Sequence, residues 1–294
     1  MRLFDDIIIT GTRAICRSYA KINLTLDVVG KRDNGYHDVS MIMQTINLSD
    51  NIIVERIKKG VFLKTNLNFL PTDSKNIAFA AAELFFEESG ISGGAKINLY
   101  KNIPVAAGLA GGSGNAAVVL CALNKLYGCP LSWERISEIS VKLGADVPYC
   151  IMGGTALAEG IGEKLTELAA VPKMTVLLVK PPVSVSTPYV YGEYDKLEQA
   201  NHSDIEKMIE SINNNSITGI AANLSNTLEQ VTVNKYPVIS GIKNKMISDG
   251  ALGALMSGSG PTVFGIFDDY NKAKKSADDF FRQFREVYLC NTLN

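Results

Sequence analysis

Residues 95–128 read AKINLYKNIPVAAGLAGGSGNAAVVLCALNKLYG and place a glycine-rich loop between a strand and a helix. The strand covers residues 95–100, and an almost wholly apolar helix is predicted over residues 115–127, with Gly128 as its end. The free amides and the positive dipole end of a helix N-terminus favour anions, so this order indicates a phosphate site. Small residues are equally typical of tight packing, which the segment by itself leaves open.

Known phosphate-binding motifs differ from this loop. No Gly-Lys-Ser/Thr closes it as in a Walker A loop, and it is not the GxGxxG of a βαβ dinucleotide site. A second small-residue loop, Ser257-Gly-Ser-Gly260, is weaker evidence in isolation.

Residues 21–28 alternate between apolar and polar side chains. This pattern predicts a half-buried strand whose exposed, polar face carries Lys21, Asn23, Thr25 and Asp27. An exposed lysine is ordinarily a solvated one, so by itself the position of Lys21 indicates no function.

The other elements follow from periodicity, helix caps and glycine stops. Ser74 is predicted to cap a helix that Gly90 ends, and Ser132 to cap one that Gly144 ends. Further strands are expected at 51–57, 61–65, 175–179, 262–267 and 287–291, and further helices at 203–213, 216–228, 236–249 and 271–284. Strands and helices without regular βαβ alternation predict an α+β fold.

The chain has 294 residues, about twice the ~150 of one ordinary domain, which predicts two domains, 1–162 and 163–294. Hydrophobic residues make up 46%, which is typical of packed globular proteins. The 29 basic residues balance 30 acidic ones, so neither nucleic acids nor anionic membranes are expected as partners. Apolar windows fall well short of the ~20 residues that span a bilayer.

The cysteines and the N-terminal residues bear on the compartment. The triplet Ile7-Ile-Ile9 is too short for a signal-peptide core, so we expect a cytoplasmic protein. Five cysteines without CxxC spacing and two histidines form no zinc pattern, and we expect free, mostly buried thiols and no protein-built metal site. We expect a monomer or a weak homodimer.

Five segments in a fixed order resemble the GHMP kinases. They are Ala20-Lys-Ile-Asn-Leu24 with Gly35-Tyr-His-Asp38, the loop 104–117, Gly144-Ala-Asp-Val-Pro148 and Gly258-Ser-Gly-Pro261. The resemblance implies a two-domain α+β fold, with an N-terminal domain like ribosomal protein S5 domain 2 and a C-terminal ferredoxin-like α/β sandwich. The first pair of segments resembles the members that act on a cytidyl substrate rather than on mevalonate or homoserine.

The resemblance implies ATP-dependent phosphorylation of the 2-hydroxyl of a diphosphocytidyl methylerythritol, in the non-mevalonate route to isoprenoid precursors. It implies that Asp146 accepts the hydroxyl proton, that Lys21 orients Asp146 and that Asn23 contacts the substrate. Mg²⁺ would bridge the phosphates of ATP. A cap or a salt bridge is the ordinary role of an aspartate after a helix, which is the alternative for Asp146.

Further binding residues are implied by the same resemblance. Tyr36 and Tyr191 would hold the cytosine ring between them and His37 would hydrogen-bond its edge, although Tyr36 and His37 could also simply anchor their loop. The residues expected to bind ATP are Pro104, Ala106, Ala107, Gly108, Leu109, Ala110, Gly111, Gly112, Ser113 and Gly114, with Asn76 and Lys101 near the adenine.

Two other functions are weighed against this one. A GHMP kinase for another small alcohol would gain nothing from Tyr36 and Tyr191, and a nucleotide-binding regulator without catalysis would need neither Lys21 nor Asp146. The chain also departs from the family pattern. The family usually has proline where Tyr19 stands and a second hydroxyl residue where Gly114 stands, and residues 1–12 extend beyond the usual start.

Overall fold

Backbone contacts divide the chain into two compact units. Unit 1 comprises Met1–Ala20, Ser49–Val105 and Ala110–Gly153, and unit 2 comprises Lys21–Leu48, Ala106–Leu109 and Gly154–Asn294. The structure, a computed structural model, describes residues 7–199 and 201–294, so the first half of the N-terminal extension lies outside the described residues. Two long strands, β2 (Arg13–Lys31) and β3 (His37–Ile57), contribute residues to both units. The expected division after residue 162 stays a prediction.

Unit 1 packs helices against a sheet. Strand β1 (Ile8–Thr10) pairs antiparallel with the start of β2, while β5 (Gly94–Tyr100) pairs antiparallel with the end of β3 and parallel with β4 (Gly60–Thr65). Its other elements are β4 (Gly60–Thr65), α1 (Ile77–Ser89), β5 (Gly94–Tyr100), α2 (Gly111–Leu126), α3 (Trp133–Ser140) and α4 (Val147–Met152).

The core of unit 1 forms around α2. Every residue of this helix from Gly114 to Asn124 is buried, which is the pattern of a helix that is apolar on all sides. It packs against α1, whose Ala78, Ala81 and Phe85 are fully buried. The N-terminus of α2 is therefore held rigidly.

The first part of unit 2 extends β2 and β3. Strand β6 (Thr155–Glu159) pairs antiparallel with β3 and forms a hairpin with β7 (Lys164–Glu167). The two-residue strand β9 (Ser225–Asn226) pairs parallel with β2 opposite Thr25 and Leu26. The helices between these strands and the C-terminal sheet are α5 (Thr187–Tyr194), α6 (Ile205–Asn213), α7 (Ile217–Ala222) and α8 (Glu229–Lys235).

The C-terminal part of unit 2 is a four-stranded antiparallel sheet in the order β10-β11-β8-β12. The chain runs β8, helices, β10, β11, α10, β12, which is the ferredoxin-like arrangement that the family resemblance implies. Helix α9 packs on β10 and β11, and α10 packs on β8 and β12. The elements are β8 (Thr175–Lys180), α9 (Val238–Ser248), β10 (Gly253–Met256), β11 (Val263–Phe267), α10 (Tyr270–Phe281) and β12 (Glu286–Asn291). The α+β class is confirmed.

Several predicted helix ends are wrong. Helix α1 is capped by Asn76 and not by Ser74, because the Asn76 side chain accepts from the amide of Ala78. Helix α2 begins four residues earlier than expected, since its glycines adopt helical backbone angles. Helix α3 ends at Ser140, and the helix predicted at 216–228 ends at Ala222 before β9.

The polar face of β2 is also not exposed. Lys21, Asn23, Thr25 and Asp27 are each at most 9% exposed. Neighbouring backbone covers them, since Thr25 Oγ1 accepts from the amide of Ile42 and β9 pairs alongside. The alternation of residues along β2 identified its apolar and polar faces, but not the backbone that covers the polar face.

Within residues 7–199 and 201–294, no helix combines the length and the apolar character needed to cross a bilayer.

Candidate active site

Lys21 and Asn23 form a buried pair on β2. Lys21 Nζ donates to Asn23 Oδ1 at 2.7 Å, and the two residues are 5% and 0% exposed. The backbone amide of Lys21 donates to the carbonyl of Leu109 at 3.2 Å. Because a buried ammonium is costly unless it is hydrogen-bonded, this pairing holds the charge in a fixed place beside the glycine-rich loop.

That loop alternates between ordinary and left-handed backbone angles. Ala106, Gly108 and Ala110 have φ values of 51°, 74° and 54°. The left-handed region costs an alanine about 1–2 kcal/mol, so two strained residues are kept in one short segment. Ala107 and Leu109, which lie between them, are buried, as is Pro104, which precedes them.

A second loop holds Gly108 in place. Ser257 Oγ donates to the carbonyl of Gly108 at 2.9 Å, and a Cβ on Gly108 would collide with the carbonyl oxygen of Ser257. The buried Asn226 amide in turn donates to the carbonyls of Met256 and Gly258, both at 2.8 Å. Two loops that are 149 residues apart are thus positioned as one structure.

Gly111 and Gly112, in the first turn of α2, have different surroundings. The amide of Gly114 makes the first intrahelical bond, to Ala110 O at 2.8 Å, so the amides of residues 111–113 precede the regular helical pattern. A Cβ on Gly111 would lie 2.9 Å from Ile103 Cγ2, whereas a Cβ on Gly112 would meet only Ile77, at 3.5 Å. A side chain at Gly111 would therefore crowd Ile103, whereas Gly112 is exposed and has room for a Cβ in ordinary van der Waals contact with Ile77.

Lys101 lies beneath this turn in a buried polar cluster. Its Nζ bonds the carboxylate of Asp50 and donates to Asn115 Oδ1 at 3.1 Å, while Asn115 Nδ2 donates to Asp50 Oδ2 at 2.8 Å. The other carboxylate oxygen accepts from the amides of Asn102 and Ile103. The cluster joins β3, the end of β5 and α2.

The charge of Lys101 is set by two opposing effects. Burial lowers the pKa of Lys101, and the adjacent Asp50 carboxylate acts against that shift. The side chains of Lys101 and Asp50 are 4% and 0% exposed. The Lys101 side chain therefore has a structural partner in the described part of the chain, and a contact between Lys101 and adenine stays a prediction.

Asn76 has a structural role too. Its side-chain oxygen accepts from Ala78 N at 3.0 Å and its amide nitrogen donates to Pro71 O at 2.9 Å. The residue is 8% exposed. The expected contact between Asn76 and adenine also stays a prediction.

Asp146 occupies the N-cap position of α4, half-buried, with φ −82° and ψ −10°. Its carboxylate makes no capping hydrogen bond to the helix, and Pro148 lies in the first turn. Capping, the ordinary role of an aspartate here, is therefore not what the side chain does. Asp146, Ser113 and Lys101 belong to unit 1, and Lys21 and Asn23 to unit 2.

Aromatic side chains lie close to the end of β2 and the start of β3. The rings of His37 and Tyr191 stack with centroids 4.7 Å apart and planes 28° apart. Tyr36, next to His37, is 60% exposed. His37 Nε2 lies 2.6 Å from Asp195 Oδ1, and Lys31 Nζ lies 2.6 Å from Asp195 Oδ2.

Several of these residues were missed by sequence reasoning. Asp50, Asn226 and Asp195 lie far along the chain from the groups they hold, so no local spacing marks them. Asp195 alone carries a weak signal, since it follows Tyr191 by one helical turn.

The cysteines and the possible metal ligands are the remaining reactive groups of the chain. All five cysteines are free thiols; three are buried, Cys150 is partly buried and Cys129 is exposed. Burial raises the pKa of Cys16 and of Cys121 to about 12. Among the described residues, no three His, Cys, Asp or Glu side chains cluster as metal ligands would.

Each unit by itself contributes a feature suited to anionic ligands. In unit 1, helix α2 presents free amides at residues 111–113, and Gly112 leaves space above them. In unit 2, hydrogen bonds fix the Lys21 ammonium beside Asn23. Fixed donors of these two kinds stabilise charge on a transferring phosphoryl group.

Comparisons with known proteins agree on one family. Residues 76–154 match the family model for the GHMP kinases N terminal domain, and residues 195–288 match the model for GHMP kinases C terminal. The 4-diphosphocytidyl-2-C-methyl-D-erythritol kinase of Clostridium beijerinckii is 48% identical over 277 residues, which cover 94% of this chain and 99% of that protein. The enzyme of the same name from Caldicellulosiruptor saccharolyticus is 49% identical, covering 95% of this chain and 96% of that protein.

Solved structures give the same result. A crystal structure of 4-(cytidine 5'-diphospho)-2C-methyl-D-erythritol kinase superposes with a TM-score of 0.82 at 30% identity, covering 95% of this chain and 99% of that one. The mevalonate kinase of L. major superposes with a TM-score of 0.77 at 15% identity, covering 98% of this chain and 97% of that one, which shows a shared fold. The chain therefore belongs to the GHMP kinases and, within them, to the 4-diphosphocytidyl-2-C-methyl-D-erythritol kinases.

Proposed function

We propose that this chain transfers the γ-phosphoryl group of ATP to the 2-hydroxyl of 4-diphosphocytidyl-2-C-methyl-D-erythritol, in the non-mevalonate route to isoprenoid precursors. Relatives of that name align over nearly the whole chain. The observation in the structure that carries the proposal is the buried Lys21, whose ammonium bonds Asn23 while its amide bonds Leu109 of the glycine-rich loop. These bonds fix Lys21, whose ammonium we assign to the acceptor hydroxyl, beside Leu109 of the loop that we assign to the phosphates.

The roles of the residues follow from the chemistry of phosphoryl transfer. The transition state spreads charge over the phosphoryl oxygens, so positioning and electrostatic stabilisation do most of the catalysis. The amides of residues 111–113 bind the phosphates at the α2 N-terminus, and Lys21 stabilises charge near the acceptor oxygen. Asp146, half-buried at the start of α4, accepts the proton of the hydroxyl as it attacks.

Mg²⁺ accompanies ATP in this proposal. The hydroxyl of Ser113 and the carboxylate of Asp146 are both oxygen donors, the type that Mg²⁺ prefers, and both side chains are partly exposed. Mg²⁺ neutralises charge on the phosphates when it is bound.

The substrate's cytidyl end binds beside Tyr191, His37 and Tyr36. A stacked aromatic pair with an exposed tyrosine next to it provides flat apolar faces for a pyrimidine. Asn23 contacts the alcohol end. A cytoplasmic location, and a monomer or weak homodimer, are part of the same proposal.

The deciding experiment is an ADP-release assay with 4-diphosphocytidyl-2-C-methyl-D-erythritol, mevalonate and homoserine as acceptors. We expect ADP release only with the cytidyl alcohol, and ³¹P NMR of the product should show a phosphate on the tertiary C2 oxygen. Comparable turnover of mevalonate or homoserine would replace the proposed substrate. ATP binding without turnover of any acceptor would favour a regulator.

A further inference from the structure

Asp195 connects the two strands that end at the aromatic site. Its Oδ1 lies 2.6 Å from His37 Nε2, at the first residue of β3, and its Oδ2 lies 2.6 Å from Lys31 Nζ, at the last residue of β2. All three residues belong to unit 2. The hairpin that carries Tyr36 is therefore tied at both ends to the helix that carries Tyr191.

The position of this carboxylate is unfavourable for the helix itself. Asp195 is the C-cap of α5, and its amide bonds Tyr191 O at 3.0 Å. A negative charge at a helix C-terminus opposes the helix dipole. Lys31 above all, together with His37, lowers the pKa of Asp195, so the group stays ionised at neutral pH. Its contacts with Lys31 and His37 offset the unfavourable dipole.

The carboxylate determines how the His37 ring is protonated. An ionised carboxylate only accepts hydrogen bonds, so a neutral His37 that bonds it carries its hydrogen on Nε2, which leaves Nδ1 as an acceptor. The His37 side chain is 7% exposed and its ring is stacked on Tyr191. Contacts within unit 2 therefore set the orientation of the ring and, for the neutral ring, favour the tautomer with hydrogen on Nε2.

We propose that Asp195 is a specificity-determining positioning residue, which presents His37 Nδ1 as a hydrogen-bond acceptor to the exocyclic amino group of the substrate's cytosine. Uracil carries a carbonyl oxygen at that position, and two acceptors repel, so the same geometry rejects a uridyl substrate. This inference rests on the proposed function, because it assumes a cytidyl substrate at His37.

Asp195→Asn tests the assignment, because Lys31 determines how the new carboxamide group is oriented. Lys31 offers only donors, so it attracts the oxygen of the new carboxamide and turns the NH₂ group toward His37. His37 Nε2 must then accept, the ring hydrogen moves to Nδ1, and the edge that faces the base becomes a donor. We expect KM for the cytidyl alcohol to rise about tenfold, kcat to change less than threefold, and the preference for cytidyl over uridyl substrate to fall.

Nitrogen NMR of ¹⁵N-histidine-labelled protein reads the tautomer without substrate. The wild-type His37 should show hydrogen on Nε2, and Asp195→Asn should show it on Nδ1. Adding Lys31→Met to Asp195→Asn frees the carboxamide oxygen to face His37 again, and should restore much of the Nε2 tautomer and of the base preference. If Asp195 had only a structural role, removing Lys31, its second ion-pair partner, would restore neither the tautomer nor the base preference.

Two further variants separate this role from general effects. Glu193→Gln removes another carboxylate of α5, one that pairs with Lys196 at 2.5 Å, and should leave KM and the base preference unchanged. In a His37→Ala background, Asp195→Asn should add no further loss of base preference, because the effect passes through His37.

The possible results are distinguishable. If the wild type turns over the cytidyl alcohol but Asp195→Asn retains both its base preference and the Nε2 tautomer, the inference is wrong and the proposed function stands. If the wild type turns over no cytidyl substrate, the proposed function fails, and this inference fails with it.

Discussion

The hydroxyl oxygen of Ser18 lies 2.5 Å from the point that a Cβ on Gly114 would occupy. Ser18 is fully buried, and its hydroxyl has no hydrogen-bond partner within the described chain. The Ser18 hydroxyl thus takes up the space that a side chain at position 114 would need. This Ser18 conformation therefore leaves no room for a side chain at position 114.

We predict that Gly114→Ala destabilises unit 1 by about 1–3 kcal/mol, the usual cost of overpacking a core. In a Ser18→Ala background the cost should be smaller, because the next nearest atom, Tyr19 O, would lie at 3.3 Å. Urea unfolding of the four proteins gives the coupling energy. Additive losses would mean that the two sites do not compete for space.

Gly111 and Gly112 should respond differently to the same substitution. Gly111→Val places a branched side chain against Ile103 and Lys101 and should lower the free energy of unfolding, whereas Gly112→Val should leave it nearly unchanged. If phosphates occupy the space above Gly112, Gly112→Val should nevertheless weaken ATP binding. Calorimetric titration with a non-hydrolysable ATP analogue measures this. An unchanged Kd in Gly112→Val would show that the exposed turn does not bind ATP.

Asp146→Asn should lower kcat by roughly 10²–10⁴-fold, the range for loss of a general base, while Kd for ATP stays within a few-fold. Asparagine keeps the size of the side chain and loses its basicity. Single-turnover assays with saturating ATP separate the chemical step from binding. Near-normal turnover would remove Asp146 from the mechanism.

Lys21→Ala should reduce kcat comparably, and the double variant with Asp146→Asn should lose less than the product of the two single effects. Groups that serve one hydroxyl in one transition state act as a unit, so their losses do not add. Asn23→Ala serves as the comparison, since it removes the oxygen to which Lys21 Nζ donates. Full additivity would indicate separate roles.

Tyr191→Ala and Tyr36→Ala should each raise KM for the cytidyl substrate by about ten- to a hundredfold, from stacking worth roughly 1–3 kcal/mol per base. Tyr→Phe at either position keeps the ring and should retain most of the affinity. Initial-rate kinetics and thermal melting of each variant provide the test. A large KM increase in a correctly folded Tyr→Phe variant would assign recognition to the hydroxyl instead.

Lys101→Met should cost about 3–5 kcal/mol of unfolding free energy, because it leaves the Asp50 carboxylate buried without its cation. Adding Asp50→Asn removes the stranded charge, and the carboxamide oxygen that it introduces can still accept from Asn102 or Ile103, so we expect partial recovery. Denaturant unfolding of the single and double variants tests this. A double variant no more stable than Lys101→Met would show that charge is not the cause.

Features that depend on neighbours along the chain follow from residue type and spacing. Gly90 ends α1 with φ +64° and Ser132 caps α3, as glycine stops and serine caps predict. The apolar run 175–179 forms a buried strand, and the glycine-rich segment leads into α2. These outcomes are decided within a few residues, so residue type and spacing were sufficient to predict them.

The residues that each segment contacts depend instead on long-range packing. Asp50 lies 51 residues from Lys101, and His37 lies 158 residues from Asp195. The same long-range packing buries the polar face of β2, which alternation alone predicted to be exposed. It also places Gly111 against Ile103, while Gly112 keeps room for a Cβ. The pattern of apolar and polar residues along the sequence predicts which faces a helix or strand has. It does not record which distant residue covers each face, because that depends on how separate parts of the chain pack to bury apolar surface and to satisfy buried polar groups.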